Sequence, residues 1–548
     1  MNAKADPADV RVPSPSPAPL APASFNEVID RVVEREHFFL EQMRKMHPLV
    51  ETYIQNLRDD KELGEVPDGD RYFLGRLDMS NGTSDNSFLG QPGFKTRVLS
   101  KLTTLYSMRF LPLGFAQMTV LDADFQRKFY NFTFVRREFL GEVRCLVVDL
   151  QPKKDSGQGR FVGRIWVEDQ GYNIVRLTGT YAPHPRFSYY LHFDSWRLNL
   201  RPGVWLPAYI YSQESDLKYR GTRKLHFKAQ TRLWGYDLQK LTRSDEFTQI
   251  LIDEPQSVHD RSESSQDSSP VQATRAWRRQ AEENAIERLY KIGLLAPPGE
   301  VDKVLQTVVN NLQVTNNLDI QPEVRCRVLL TSPLESFTIG HTIVISRGML
   351  DVLPDESSLA MVLAHELGHI VLGHEVDTQL AFIDKLFFPD NQAFARLDFK
   401  RSAADEDAAD QRAMAFLQNS PYKDKLTNAG LFLRALQDRA PDLTSLISPH
   451  LGNGIGNKNN VRMAQLLNSA PQLDVRRADQ IAALPLGGRI KLDPWSNNIE
   501  LLKTKPVPLT SIREKMPFEV TPFFPYLTRL QASPPVPEKA ALSAPTAQ

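Results

Sequence analysis

The hydrophobic period changes twice along this chain, and the second change divides it. From Arg71 to about Leu238 apolar and polar residues alternate in twos, as in Lys128–Val135, Arg160–Val167 and Asn173–Thr180. That is the pattern of antiparallel strands with a buried face. Asp169-Gln170-Gly171 and Arg201-Pro202-Gly203 fall where tight turns belong. Trp166, Trp196, Trp205 and Trp234 all lie in this stretch. Residues 255–270 are then polar, serine-rich and without period, which marks a linker. Beyond it Val301, Val304, Leu305, Val308, Val309 and Leu312 recur at the spacing of one helical face. A sheet of that length and a helical unit each need a core, and 548 residues are enough for several.

Both ends are rich in Pro, Ala and Ser, a composition that stays extended and buries nothing. Structure is expected from Ser24, spaced from Glu27 as in a capping box. A helix should follow from Phe25 to about Asn56, broken or kinked at Pro48. The expected division is 1–24 without structure, 25–67 helical, 68–246 an antiparallel β domain, 247–275 a linker and 276–470 a helical domain. Residues 471–530 form a C-terminal extension with strand-like text at 488–493 and 498–502, and 531–548 are a tail without structure. The fold class is α+β and multidomain.

Charge and cysteine content exclude several functions. Lys plus Arg and Asp plus Glu are both 66, so there is neither the basic excess of a nucleic-acid binder nor a polybasic membrane patch. No apolar run reaches the roughly 18 residues of a membrane-spanning helix. Met1–Asp6 has no apolar core of a signal peptide, so none is expected in the chain as it stands and a cytoplasmic location stays open. Cys145 and Cys326 fall in different halves and make no disulfide framework.

The chemistry is concentrated in His365-Glu366-Leu367-Gly368-His369, inside the apolar run 357–372 whose helical start is marked by Pro354-Asp355. Two histidines one turn apart share a helix face, so both imidazoles reach one tetrahedral ion. Glu366 points about 100° further round, beside such an ion, where a base takes a proton from an activated water. A buried helix has no packing reason to assemble two imidazoles and a carboxylate. A zinc site of this kind needs a third protein ligand, and Ser402–Asp410 supplies the candidates. Glu406 and Asp410 share a face there, so one can ligate while the other orients a ligand histidine. Asp405 and Asp407 suit a solvated face better.

Residues 342–350, 355–369 and 406–410, read together, resemble the HtpX and CAAX-prenyl-protease family of zinc metallopeptidases, gluzincins with HExxH followed by ExxAD. The resemblance covers roughly 280–470. It implies a zincin-type metalloendopeptidase fold with one Zn2+ per chain, held by His365, His369 and Glu406, with Glu366 as general base and Asp410 behind a ligand. His450 and Arg462 resemble the family's His-Pro…Arg segment, with Pro and His transposed and a Gly/Asn-rich insert between, and are candidates for transition-state stabilisation or gating. Where the family often has Asn-Ala-Phe, this chain has Glu335-Ser336-Phe337.

Lacking membrane helices, the chain is more similar to the soluble branch. That implies a periplasmic or secreted location, extended or misfolded polypeptide as substrate, and envelope protein quality control. The β domain is weakly similar to the half-barrels of lipoprotein carriers, which makes it the part expected to meet a membrane or a lipoprotein. The alternative function is a lipid- or lipoprotein-binding carrier or chaperone whose zincin half is a support. His374 is expected to be a helix-end residue, strand 343–345 to pair with substrate or simply follow a turn, and 380–388 to be either a lid or a further core helix.

Overall fold

The computed structural model describes residues 24–60, 64–79, 84–87, 115, 118–121, 125–157, 159–182, 191–219, 223–238, 270–376, 397–455, 461–472, 490–492, 499–501 and 518–530. Helix α1 (Phe25–Lys45) starts at Ser24, whose hydroxyl accepts the Glu27 N–H at 3.3 Å. It stops before Pro48, and the helix expected to run on to Asn56 is instead strand β1 (Leu49–Asp60). The correction has a tertiary cause. β1 lies between β2 (Gly64–Asp78) and β10 (Arg223–Trp234), so its backbone groups are bonded on both sides and its side chains alternate between two buried faces.

Ten strands form one sheet in the order β3-β2-β1-β10-β9-β8-β7-β6-β5-β4. The others are β3 (Ser84–Ser87), β4 (Tyr130–Leu140), β5 (Val143–Pro152), β6 (Arg160–Glu168), β7 (Ile174–Ala182), β8 (Phe193–Arg201) and β9 (Val204–Tyr219). All neighbours are antiparallel. Period two sorts the side chains. Val50, Ile54, Val148, Leu150 and Ile210 line an inner face, which α1 covers with Ile29, Val32, Phe39 and Met43. Buried there, Arg197 donates two hydrogen bonds of 2.7 Å to Glu36 of α1. Leu49, Tyr53, Cys145, Val147, Tyr209 and all four tryptophans of the β domain line the outer face.

The second half comprises α2 (Pro270–Ile292), α3 (Glu300–Thr315), β11 (Arg325–Leu329), β12 (Glu335–Ile339), β13 (Thr342–Ser346), α4 (Arg347–Val352) and α5 (Glu356–Leu372). After these come α6 (Ala403–Gln418), α7 (Leu426–Arg439), α8 (Thr444–Ile447), β14 (Asn453–Gly454) and α9 (Ala464–Ser469). The short strands β15 (Ile490–Leu492) and β16 (Ile499–Leu501) pair antiparallel in the C-terminal extension. On α3 the apolar stripe is narrower than its spacing suggests: Val301, Leu305, Val308, Val309 and Leu312 are buried, whereas Val304 is 42% exposed.

The small sheet runs β11-β13-β12-β14. β13, which contains 343–345, is therefore interior and bonded on both sides, so it offers no edge to a substrate. The strand against the HExxH helix is β12, which is bonded to β13 on one side and, at Glu335 and Ser336, to the two-residue edge strand β14 on the other.

The halves are docked through the outer face of the large sheet. Trp234 Nε1 donates to Gly293 O at 2.9 Å and Arg76 to Ile292 O at 2.8 Å. Asp70 accepts the Ser445 and Leu446 N–H groups, both at 2.7 Å, at the start of α8. Buried Glu51 accepts the Ser332 N–H at 2.6 Å and the Tyr72 hydroxyl at 2.8 Å, and pairs with Arg232. A polar linker composition carries no information about such docking. Among the described residues no helix is long and apolar enough to cross a membrane.

Candidate metal centre

Helix α5 begins at Asp355, whose carboxylate accepts the Ser358 N–H at 2.9 Å, and most of its residues are buried. One turn apart on it, His365 and His369 turn their Nε2 atoms toward each other at 3.0 Å. α6 crosses α5 at this point, with Ala409 and Ala413 buried. Gly368 makes the crossing possible, because a Cβ there would stand 2.9 Å from the Ala409 carbonyl oxygen. Close approach brings Glu406 to the histidines, its Oε2 3.3 Å from His365 Nε2 and its Oε1 3.4 Å from His369 Nε2. Among the described residues these three are the one group whose ligand atoms gather in this way, all within 4.8 Å of one another.

The protons indicate what the cluster is built to hold. His365 Nδ1 lies 2.7 Å from Asp410 Oδ1 and His369 Nδ1 lies 2.9 Å from His374 Nδ1. When each Nδ1 carries the proton of that bond, each Nε2 presents a lone pair. Two lone pairs at 3.0 Å, with a carboxylate beside them, repel unless a cation lies among them. Two imidazoles, one carboxylate and a free fourth position are the donor set of a catalytic zinc, so the residues present fit that ion. Burial opposes ionisation of Glu406, yet the neighbouring His365 and His369 and the Arg462 charge hold its carboxyl far below the usual range.

Glu366 lies beside the triad and is buried. Ser336 Oγ donates to its Oε1 and Thr338 Oγ1 to its Oε2, each at 2.6 Å. Burial opposes its ionisation too, but the adjacent His365, His369 and Arg462 charges and the Ser336 bond outweigh it, so the carboxyl lies below its ordinary value. Ser336 and Thr338 were absent from the sequence candidates. Their signal is period two: alternate residues of a strand share a face, and these are two hydroxyls on a wholly buried one.

Arg462 arrives at the site, with Nε 2.9 Å from Glu406 Oε2 and a terminal nitrogen 3.8 Å from Glu366 Oε1. Asp410 positions it indirectly. Its Oδ2 accepts the Met463 N–H at 2.6 Å, while Oδ1 holds His365. His450, expected near the metal, is placed elsewhere. Its ring stacks on Tyr72 of β2 with centroids 5.2 Å apart, and its backbone N–H donates to buried Glu335 at 3.1 Å. The ring is held there by the β domain, because the loop that carries it is tied to Glu335 and faces Tyr72. His374 does follow the helix end, after Gly373 at φ 68°, but its ring reaches back to His369 and its Nε2 lies 3.6 Å from Asp405. Arg401, also absent from the candidates, donates to Thr338 O at 2.8 Å. Residues 380–388 lie outside the described residues.

Residues 300–479 match peptidase family M48. No curated protein matches the chain. Among solved structures it is similar to a DUF1329 family protein from Desulfovibrio piger at 12% identity, covering 38% of this chain and 91% of that one, with a TM-score of 0.20. It is also similar to a putative outer membrane lipoprotein-sorting protein domain from Vibrio parahaemolyticus at 10% identity, with 37% and 92% covered and a TM-score of 0.18. A third is the Pseudomonas aeruginosa MucA/MucB complex, at 11% identity, 40% and 96% covered, and a TM-score of 0.14.

Proposed function

We propose, taking as premise that the chain carries an M48 metallopeptidase domain, that it is a zinc-dependent endopeptidase acting on extended or misfolded polypeptide, in the quality control of envelope proteins. One observation carries the reading. A carboxylate anchored by two hydroxyls, Glu366 on Ser336 and Thr338, stands beside a His365, His369 and Glu406 donor set. Zinc bound by those three residues would polarise the scissile carbonyl and acidify the attacking water.

The remaining work belongs to the chain's own groups. Glu366 takes the proton of the attacking water and delivers it to the departing amine. Ser336 and Thr338 each hold one of its oxygens and so fix the plane of the carboxylate. Asp410 and His374 keep the Nδ1 protons in place, so that both Nε2 atoms remain donors. Arg462, beside Glu366 and Glu406, places positive charge where the tetrahedral oxyanion forms.

A carrier function requires an open apolar face on the sheet. Among the described residues α1 covers the inner face, and the peptidase half packs on the outer one. The test is Glu366→Gln, assayed with a fluorescein-labelled unfolded protein and by metal analysis. Hydrolysis should fall by about 10²–10⁴-fold while zinc stays at about one per chain. Glu406→Ala should lose the zinc itself. Unchanged hydrolysis in Glu366→Gln would reject the assignment of the base.

A further inference from the structure

We propose that the outer face of the ten-stranded sheet is a polypeptide-binding groove, occupied in this chain by its own segment 518–530. That segment is extended and belongs to no strand of the sheet; it lies across the sheet's face. Its main chain is held mainly by side chains of the body. The buried Gln55 amide donates to Phe518 O at 2.7 Å and accepts the Val520 N–H at 2.8 Å, as a neighbouring strand would. The Tyr209 hydroxyl donates to Thr521 O at 3.2 Å, and the Glu142 N–H donates to Leu527 O at 2.8 Å. Asn199 Oδ1 accepts the Leu530 N–H at 2.6 Å.

These contacts come from β1, β9, β8 and the β4–β5 turn, and they read backbone rather than sequence. At the turn, Gly141 (φ 66°) is required twice over, since a Cβ would lie 2.4 Å from Leu527 O and 2.6 Å from its nitrogen. The body thus has a notch where another backbone passes.

Side chains give the groove a direction. Lys228 pairs with Glu519 at one end, and Arg529 lies 2.7 Å from Glu168 and 3.6 Å from Asp169 at the other. Between them Phe523 meets Tyr209 edge-on at 5.7 Å and Phe524 meets Trp196 at 6.1 Å. Pro525 and Leu527 are buried, while Phe524, Tyr526 and Thr528 are exposed, the alternation of an extended ligand. Pro522 and Pro525 pre-set that conformation and lower the entropy lost on binding. The ligand class is therefore an extended, proline- and aromatic-bearing polypeptide, acidic near its N-terminal end and basic near its C-terminal end. Phe518, against Phe432 of α7 at 6.1 Å, places the start of the groove at the junction of the two halves.

The experiment uses the full chain with Glu366→Gln, so that hydrolysis of the probe does not enter and the peptidase reading stands or falls separately. A site-specific protease sequence is inserted after Leu509, the folded protein is cut, and the products are passed over a sizing column. The C-terminal fragment should stay with the body and exchange with a labelled synthetic peptide of residues 517–531. The same peptide with Arg529→Glu, which meets Glu168 and Asp169 with the wrong charge, should bind at least about tenfold more weakly. A fragment that leaves a folded body unable to take up the peptide overturns the proposal. So does a body that unfolds once cut, or equal binding of a scrambled peptide.

Discussion

The inner and outer faces of the large sheet are built from alternate residues of the same strands, yet they are finished differently. The inner face is apolar, with aliphatic side chains and Phe and Tyr rings together, is covered by α1, and carries the buried ion pair of Arg197 with Glu36. The outer face holds four tryptophans and a set of polar groups whose partners lie in the peptidase half or in residues 518–530. An apolar face with its own covering helix is a core. A face on which Glu51, Asp70 and Gln55 take part of their hydrogen bonding from another part of the chain is a joint, because a polar group left short of partners away from water is costly. The β domain therefore contributes to the catalytic half through a defined line of contact. Tyr72 stacks on His450, and Glu335 binds the His450, Leu451 and Gly452 N–H groups at 3.1, 3.0 and 3.4 Å. Ser336, the next residue, holds Glu366.

If that distinction is right, damage to the two faces separates stability from activity. The largest effect is expected from Glu36→Ala, which leaves Arg197 buried without its carboxylate and should cost about 3–5 kcal/mol. Denaturant unfolding should show the loss, while the hydrolysis rate per folded molecule stays the same; a change in that rate would erase the contrast. Tyr72→Leu removes the stack on His450 and the hydroxyl bond to Glu51, a loss of about 1–2 kcal/mol. Here hydrolysis should fall severalfold with hydrogen exchange of α1 unaffected, and unaltered hydrolysis would show that the joint does not reach Glu366.

A third effect is seen only when pH is lowered. Burial, assisted by the Lys400 charge, pushes the His450 imidazole down to about 4 from an ordinary 6.5. Between those values the unfolded chain binds a proton that the folded chain refuses. Its contribution to stability is therefore complete above about 6.5 and declines as pH falls toward about 4. His450→Gln should flatten the stability profile across that window, and an unchanged slope would mean that another group controls it.

The site was legible where its chemistry is local. His365, Glu366 and His369 are set by the spacing of one helix, and Glu406 and Asp410 by the spacing of another. Ser336 and Thr338 were not, since an alternating Ser and Thr in a strand also suits a solvent-facing surface. His374 was discounted by its angle on an ideal helix, but the chain leaves the helix at Gly373 and the ring turns back. His450 followed a spacing that the rearranged loop does not keep. In the fold, the alternating strands and the helical stripe of α3 were readable, whereas β1 passed for helix because a short apolar run suits either period.

What the sequence alone determined about this protein is therefore its periodic and near-neighbour content: a β half, a helical half, and two helices each presenting part of a metal site. Those features depend on the geometry of a few consecutive residues. The tertiary structure decided that the halves dock through the outer face, that Glu366 rests on β12, and that residues 518–530 lie across the sheet. The physical reason is distance along the chain. Gln55 and Val520 share a hydrogen bond across 465 residues, and no local pattern in either segment names the other. Only packing that leaves each buried polar group a partner selects the pair.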